Sequence, residues 1–483
     1  MPTARTEPST TMSHPAGRAL LFVLSGTMLL DALEVSTAAV TLPAIGDDLG
    51  LPPASSHWLV TGFALAFGGL ILVAGKVVAR VGARRPYLVA LLVFAVASVA
   101  GGLAGDGPLL MATRAVKGAC AAFTAPVGLA IIAAAFPEGA ARTRAMSVYA
   151  LFGAGGFTCG LVVSGVLTTA LGWRWTLAAP APVALALFLA GLRLVPRGGG
   201  APGGVNEAKT DEAAKTDEAQ RGQGRAGVLA WGPLIRSCLG AATLNGSFWG
   251  LLLVVSLHLQ AVAGWSALRT ALAFVPATVL LLLSVPYSGR LAERYGPARL
   301  IALGAAAPPA GYALLLRLDG APSYTVDILP TALLVGAGYV LCFAALHIQA
   351  TAGVPESRKG LVSGVYQSSV QLGGALAVWL TALALPAASA PGPHAAIGLV
   401  TAVGALGLLV ALAGVIGGRP DRPVRSARND EGSDHDDAGG GSPLPLRPAG
   451  VGAAERGARR PGRQPSRHGG HDRQGRAHRG GRG

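Results

Sequence analysis

The sequence predicts an all-α integral membrane protein of about twelve transmembrane helices, arranged as two six-helix bundles related by pseudo-two-fold symmetry. Three observations predict it. Only 13% of the 483 residues are charged and 51% are hydrophobic, whereas soluble domains carry about 25% charged residues. The charges are clustered, and the apolar runs between them reach the roughly 20 residues needed to cross the hydrocarbon layer. One short basic loop also occurs twice, at the same place in each half of the chain.

The elements follow in order. Residues 1–17 form a polar N-terminal tail with Pro2, Pro8 and Pro15. The first apolar run, near 19–42, is too long for a signal-peptide core, and no small-residue cleavage site follows it. Further runs near 57–78, 86–105, 108–134, 145–169 and 175–195 complete a first bundle over 18–195. A polar linker, 196–236, contains Lys209-Thr-Asp-Glu-Ala213 and its exact repeat Lys215-Thr-Asp-Glu-Ala219, mixed-sign segments that read as disordered or transiently helical. Runs near 237–262, 266–288, 298–317, 325–349, 360–385 and 394–417 form a second bundle over 237–417. The tail 418–483 has 14 Arg, no Lys and many Gly and Pro, a composition that cannot bury a core. It reads first as a solvated cytoplasmic tail, the alternative being contact with anionic lipid or nucleic acid, so the net charge of +15 says little about the substrate. No nucleic-acid partner is expected.

Composition within the runs agrees with this reading. The 69 glycines let membrane helices approach closely. Cys120, Cys159, Cys238 and Cys342 lie within or at the edges of apolar segments, at spacings that match no metal site or disulfide framework. The basic residues set the topology. With the N-terminus inside, the inner loops hold Lys76, Arg80, Arg84, Arg85, Arg142, Arg144, Arg290, Arg294, Arg299, Arg358 and Lys359, and the outer loops only Arg174, Arg269 and Arg317. Both termini and the linker are therefore expected in the cytoplasm, with the chain a multi-pass protein of the plasma membrane.

The repeated loops lie after the second and eighth runs. The first has Gly75, Arg80, Gly82, Arg84 and Arg85; the second has Gly289, Glu293, Arg294, Gly296 and Arg299. Both read Gly, four residues, Arg, one residue, Gly, then basic. The glycines permit a tight turn with close helix contact, and the arginines can bridge helix ends. Internal repeats of this kind mark transporters built from two related halves.

These loops resemble the signature of the major facilitator superfamily, and the resemblance extends over roughly residues 18–417. Other segments are similar to its drug:proton antiporter branch: Leu33-Glu34-Val-Ser-Thr-Ala-Ala-Val-Thr-Leu42-Pro43 in the first run, with Glu34 where Asp is usual, and Arg114-Ala-Val-Lys117-Gly118 in the fourth, with Lys117 where Gln is common. Trp173-Arg174-Trp175 and Tyr324-Thr-Val-Asp327-Ile-Leu-Pro330 match as well. Many members of that branch have fourteen spans; here the linker stands where two central ones would be. Ala79 replaces the usual acid of the first signature loop, and Leu161 replaces the proline of the fifth-helix motif, which keeps Gly156, Gly160, Ser164 and Gly165. The resemblance implies the major facilitator fold and proton-coupled efflux of drugs, antibiotics or a secondary metabolite by alternating access. It also implies a monomer working in the lipid bilayer on a small amphipathic substrate and protons, with no cofactor, no metal and no enzymatic activity.

Ionisable groups inside a bilayer are costly and mark function. The first run holds Asp31 and Glu34, the fourth Arg114 and Lys117. Each pair is spaced i,i+3 and so shares one helix face. Glu34 and Lys117 both fall about 12 Å below the outer surface at ~1.5 Å per residue, so an acidic face can meet a basic one. Glu34, with Asp31, is read as the proton carrier and Arg114 as the group that tunes it. The alternative is a permanently ionised cluster that only joins two helices. Lys117 either joins the cluster or contacts substrate.

In the second half the polar candidates for a substrate cavity are Asn245, His258, His347, Gln367 and Gln371, with Gln349 beside them and Phe248, Trp249 and Tyr366 as an aromatic wall. The same groups could instead bond or pack neighbouring helices. The Gly156/Gly160/Ser164 face reads first as close helix packing, on which a gate could be built. There is no nucleotide-binding G-x-x-x-x-G-K-[ST] loop and no H-E-x-x-H. The nearest rival to export is a facilitator or importer of a nutrient on the same fold.

Overall fold

The computed structural model describes residues 15–196, 231–317, 322–385 and 393–417. The expected linker and both tails lie largely outside these residues. The six long helices of the first half are α1 (Pro15–Leu49), α2 (Trp58–Val81), α3 (Arg84–Gly102), α4 (Gly107–Ala135), α5 (Ala140–Leu171) and α6 (Trp173–Leu194, broken at Ala179). Those of the second half are α7 (Trp231–Leu257), α8 (Ala267–Ser284), α9 (Pro297–Leu315), α10 (Leu329–Thr351), α11 (Glu356–Leu383) and α12 (His394–Gly417). Eleven of the described helices are long and apolar enough to cross a membrane. The twelfth, α11, has the length but carries Gln367, Ser368, Ser369 and Gln371 along its middle. A π-helical turn, His258–Val262, extends α7, and another, Tyr324–Ile328, leads into α10.

The helix ends follow local chemistry. Asp106 caps α4 by accepting from Leu109 N at 2.8 Å, and Ser266 caps α8 by accepting from Arg269 N at 3.2 Å. Helix α7 begins at Trp231, inside the segment expected as linker, where Trp231, Leu234 and Ile235 are apolar and Pro233 falls in the first turn, the one part of a helix that tolerates it. Prolines 43, 126, 276, 308 and 309 sit inside helices, as neighbouring helices in a membrane allow.

The packing repeats with an offset of six helices. Helix α1 packs on α5 as α7 does on α11, and α2 packs on α4 as α8 does on α10. Helix α3 touches α4 and α6 as α9 touches α10 and α12. The halves meet through α2 against α11 and α5 against α8, a pair of contacts that the same exchange interconverts. Side chains such as Leu103, Leu303, Leu409 and Ile416 are well exposed on the outside of the bundle, which suits lipid and not water.

The two signature loops take the same backbone form. Gly82 has φ 80° and Gly296 φ 77°, a region that side chains adopt at a cost. Gly75 and Gly289 behave differently from the expectation of close helix contact. A Cβ at either would meet nothing within 4 Å, because both sit on exposed helix surface. Arg84 does bridge helix ends, donating from Nη2 to Leu192 O at the end of α6 at 2.6 Å.

Candidate functional site

Four ionisable side chains meet where α1 faces α4. Glu34 is fully buried, Lys117 1%, Arg114 2% and Asp31 4% exposed, so water screens none of them. Arg114 Nη1 donates to Glu34 Oε2 at 2.5 Å, and Lys117 Nζ donates to Glu34 Oε1 at 2.7 Å. One carboxylate thus holds both cations. The remaining donors go to main chain: Arg114 Nη2 to Glu34 O at 3.1 Å, Arg114 Nε to Leu59 O of α2 at 3.0 Å, and Lys117 Nζ to Leu177 O of α6 at 3.3 Å. The guanidinium also lies 4.9 Å over the Phe63 ring and the ammonium 5.2 Å over Phe94, which helps hold the cations in an apolar setting. Four helices of the first half are fastened to this cluster.

Asp31 is set apart. One turn along α1, its Oδ2 accepts from Thr124 Oγ1 at 2.7 Å, and among the described residues it has no cationic partner. The four groups together carry no net formal charge, but the charge is divided unevenly: two cations sit on Glu34 and none on Asp31. Thr124 is absent from the sequence reading although a signal for it was present. Residues 114, 117, 121 and 124 lie at i, i+3, i+7 and i+10, one face of α4.

The fifth-helix residues serve two surfaces. A Cβ at Gly156 would overlap the Leu29 carbonyl, and one at Gly160 the Ser36 hydroxyl, so both glycines seat α5 against α1. Ser164 donates to Thr37 Oγ1 at 2.8 Å. Gly165 faces the other half: its Cβ would lie 2.9 Å from Ala271 and from Leu268 of α8. Close by, at the helix ends remote from the signature loops, Leu268 N donates to Thr169 Oγ1 at 3.2 Å, and Gln260 Nε2 to Val40 O at 3.2 Å.

The second-half candidates divide in the same manner. Asn245 is a packing residue: Nδ2 donates to Val370 O at 2.8 Å and Oδ1 accepts from Tyr339 at 3.1 Å. Trp249 is buried against Gly374. Tyr366 donates to Phe343 O at 3.3 Å and stands edge-on to His347, whose Nε2 lies 3.3 Å from Ser363 Oγ. His258 is buried in the π-helical turn at the far end of α7. Gln367 is half-buried on α11. Gln371 is buried beside Gly68 of α2 with Oε1 unpartnered, directly on the seam between the halves. The sequence reading missed Phe157 of α5, which lies 5.9 Å from Phe248 across that seam and continues a row of rings through Tyr339 to Phe343. Single phenylalanines in apolar runs carry no periodic signal that would have singled it out.

A buried charge cluster in one half, a ring-lined seam and duplicated loops describe a two-part membrane carrier, and comparison with known proteins agrees. The profile of the Major Facilitator Superfamily matches residues 24–378. The chain belongs to the Major Facilitator Superfamily. As a facilitator it is 33% identical over 413 residues to the puromycin resistance protein pur8 of Streptomyces alboniger, covering 74% of this chain and 80% of that one. It is 32% identical over 418 residues to the cephamycin export protein CmcT of Amycolatopsis lactamdurans, covering 77% and 86%. The crystal structure of a D-xylose-proton symporter superposes with a TM-score of 0.64 at 16% identity, over 82% of this chain and 96% of that one, which shows the shared facilitator fold.

Proposed function

We propose that this facilitator is a proton-coupled exporter of small amphipathic molecules, the class that includes antibiotics and secondary metabolites. It works as a monomer in the plasma membrane with both termini in the cytoplasm. The observation that carries the proposal is the buried α1–α4 cluster with its uneven charge. An ion in a bilayer needs a partner. Glu34 has two, so moving a proton on or off it disturbs two ion pairs. Asp31 has one neutral hydrogen bond, so proton exchange there breaks no ion pair. The sequence placed Glu34 first as carrier; the geometry favours Asp31 as the exchanging group and Glu34 as the joint that transmits its state to α2, α4 and α6. The relatives named for puromycin resistance and cephamycin export support outward transport of a drug-like substrate, and the row of rings from Phe157 to Phe343 supports an amphipathic one. The basic residues of the signature loops support the orientation.

The test uses inside-out vesicles. Adding substrate, found by resistance profiling in a host without its own efflux pumps, releases protons from vesicles holding the unaltered chain. Asp31→Asn abolishes that flux and leaves substrate exchange. Coupled flux that persists in Asp31→Asn, but is lost in Glu34→Gln, overturns the assignment to Asp31. Substrate movement that needs no proton gradient even in the unaltered chain returns the protein to the rival reading as a facilitator or importer.

A further inference from the structure

Two seams join the halves, α2 against α11 and α5 against α8, and they differ in what becomes of their polar groups. On α2, His57, Thr61 and Gly68 stand at i, i+4 and i+11, within about 40° of one another around the helix. On α11, Gly364, Ser368 and Gln371 stand at i, i+4 and i+7, again one face. The glycines show that the two faces meet. A Cβ at Gly68 would lie 2.9 Å from Gln371 Cβ and 3.2 Å from Ser368 O, and one at Gly364 would lie 3.1 Å from Leu72 of α2. The short helical turn Pro53–Ser56, just before His57, also touches α11.

The polar side chains of this seam are buried without partners. His57 is 2%, Thr61 3%, Gln371 5% and Ser368 7% exposed. Both ring nitrogens of His57, the hydroxyls of Thr61 and Ser368, and Gln371 Oε1 have no hydrogen-bond partner among the described residues. The α5–α8 seam is the reverse. Leu268 N donates to Thr169 Oγ1 at 3.2 Å, Gly165 admits the backbone of α8 at close range, and no buried unpartnered side-chain atom among the described residues lies on α5 or α8. A buried polar group without a partner costs free energy that water or a polar solute returns. Closing α2 on α11 therefore carries a penalty that closing α5 on α8 does not. The helices touch in the closed seam, so the polar groups reach a solute only when the halves part. We infer, on the reading of the chain as an exporter, that the halves part along α2–α11 and stay joined at α5–α8, and that His57, Thr61, Ser368 and Gln371 then line the substrate's way and hydrogen-bond its hydroxyl, amide or amine groups. The stripe holds no acid, lysine or arginine, which suits the uncharged polar side of an amphipathic molecule.

The test places one thiol on each seam of the full chain, its four native cysteines replaced by alanine. Thr61→Cys marks α2, and Ala271→Cys marks α8, where Ala271 is fully buried beside Gly165. Each lies about one turn from the helix end remote from the signature loops, so their depths are alike. Each variant is first shown to be monodisperse and to react fully once denatured. With the termini cytoplasmic as proposed, an impermeant methanethiosulfonate added outside intact cells reacts with the thiol at 61 and leaves that at 271 unmodified over the same time. Adding Ser368→Ala, which removes one unpaired hydroxyl from the closed seam, slows the reaction at 61 about fivefold, the weight of one such group. Substrate found by resistance profiling slows it as well. A profile that finds no substrate defeats the exporter reading, while the two labelling rates still decide the seam. Absent reaction at 61, equal or faster reaction at 271, an unchanged rate with Ser368→Ala, or a substrate that leaves 61 unprotected overturns the inference.

Discussion

At the residue scale the protein turns on one carboxylate with two cations and one with none. The i,i+3 spacing of Asp31 with Glu34, and of Arg114 with Lys117, made the meeting of two faces legible in the sequence. The division of charge was not legible, because it depends on the rotation of α1 against α4 and on which side chain reaches furthest. Both cations lose their partner in Glu34→Gln, and a buried charge left without its partner costs about 3–5 kcal/mol. We expect Glu34→Gln to lower the thermal midpoint in detergent far more than Asp31→Asn, which removes no ion pair. The double variant Glu34→Gln/Lys117→Gln should recover part of the loss. Equal midpoints for the two single variants would show that the salt bridges do not hold these helices. Among the second-half candidates the same logic separates Asn245, with both ends of its amide engaged, from Gln371, whose Oε1 is free. Of the two, Gln371 is the one expected to change substrate preference on substitution, read as a shift in the resistance profile without loss of expression.

At the element scale the glycines separate into those that need their conformation, those that need their size and those that need neither. The duplicated loop was readable as a repeat, but its spacing does not say which of its two glycines matters. Gly82 and Gly296 turn with positive φ, whereas Gly75 and Gly289 face open space. Gly82 and Gly296 combine positive φ with extended ψ (165° and 143°), so Ala at either should cost about 1–3 kcal/mol, while Ala at 75 or 289 should be neutral or slightly stabilising, as in any exposed helix. Heat-denaturation midpoints of the four single variants check this. Size decides at Gly118, where a Cβ would run into the Phe63 carbonyl of α2. Since backbone cannot step aside as a side chain can, Gly118→Ala should push α2 from α4, stretch the Arg114–Leu59 bond and reduce the yield of folded protein. A folded, fully active Gly118→Ala would mean that the two helices have room to spare. Lipid imposes length and apolarity directly, so each apolar run overlaps one helix, but the ends differ by up to seven residues: α1 continues to Leu49 past the run that ends at 42, and α7 starts at Trp231, ahead of the run that begins at 237.

At the scale of the whole molecule the halves are drawn together at the helix ends remote from the signature loops, by Gln260 on Val40 and by Leu268 on Thr169, with Gly165 allowing α5 and α8 to touch. These bonds cross between helices far apart in sequence, so no local pattern announced them. One such bond contributes about 1 kcal/mol, so, with the termini cytoplasmic as proposed, Gln260→Ala should shift the population toward outward opening about fivefold. The measurement is the rate at which a single cysteine replacing Phe248, in a chain otherwise free of cysteine, reacts with an impermeant reagent added outside. An unchanged rate would remove Gln260 from the closure. The buried cluster also constrains how the chain is made. Helix α1 leaves the ribosome with two acids, and each charged residue at the centre of an inserting helix costs about 2.5–3.5 kcal/mol, while the cations that satisfy Glu34 are some eighty residues behind it. Until α4 emerges, neither helix is comfortable in lipid alone. We therefore expect α1 to stay near the insertion machinery until α4 joins it, and a pause in translation between the two to expose the young chain to membrane proteases.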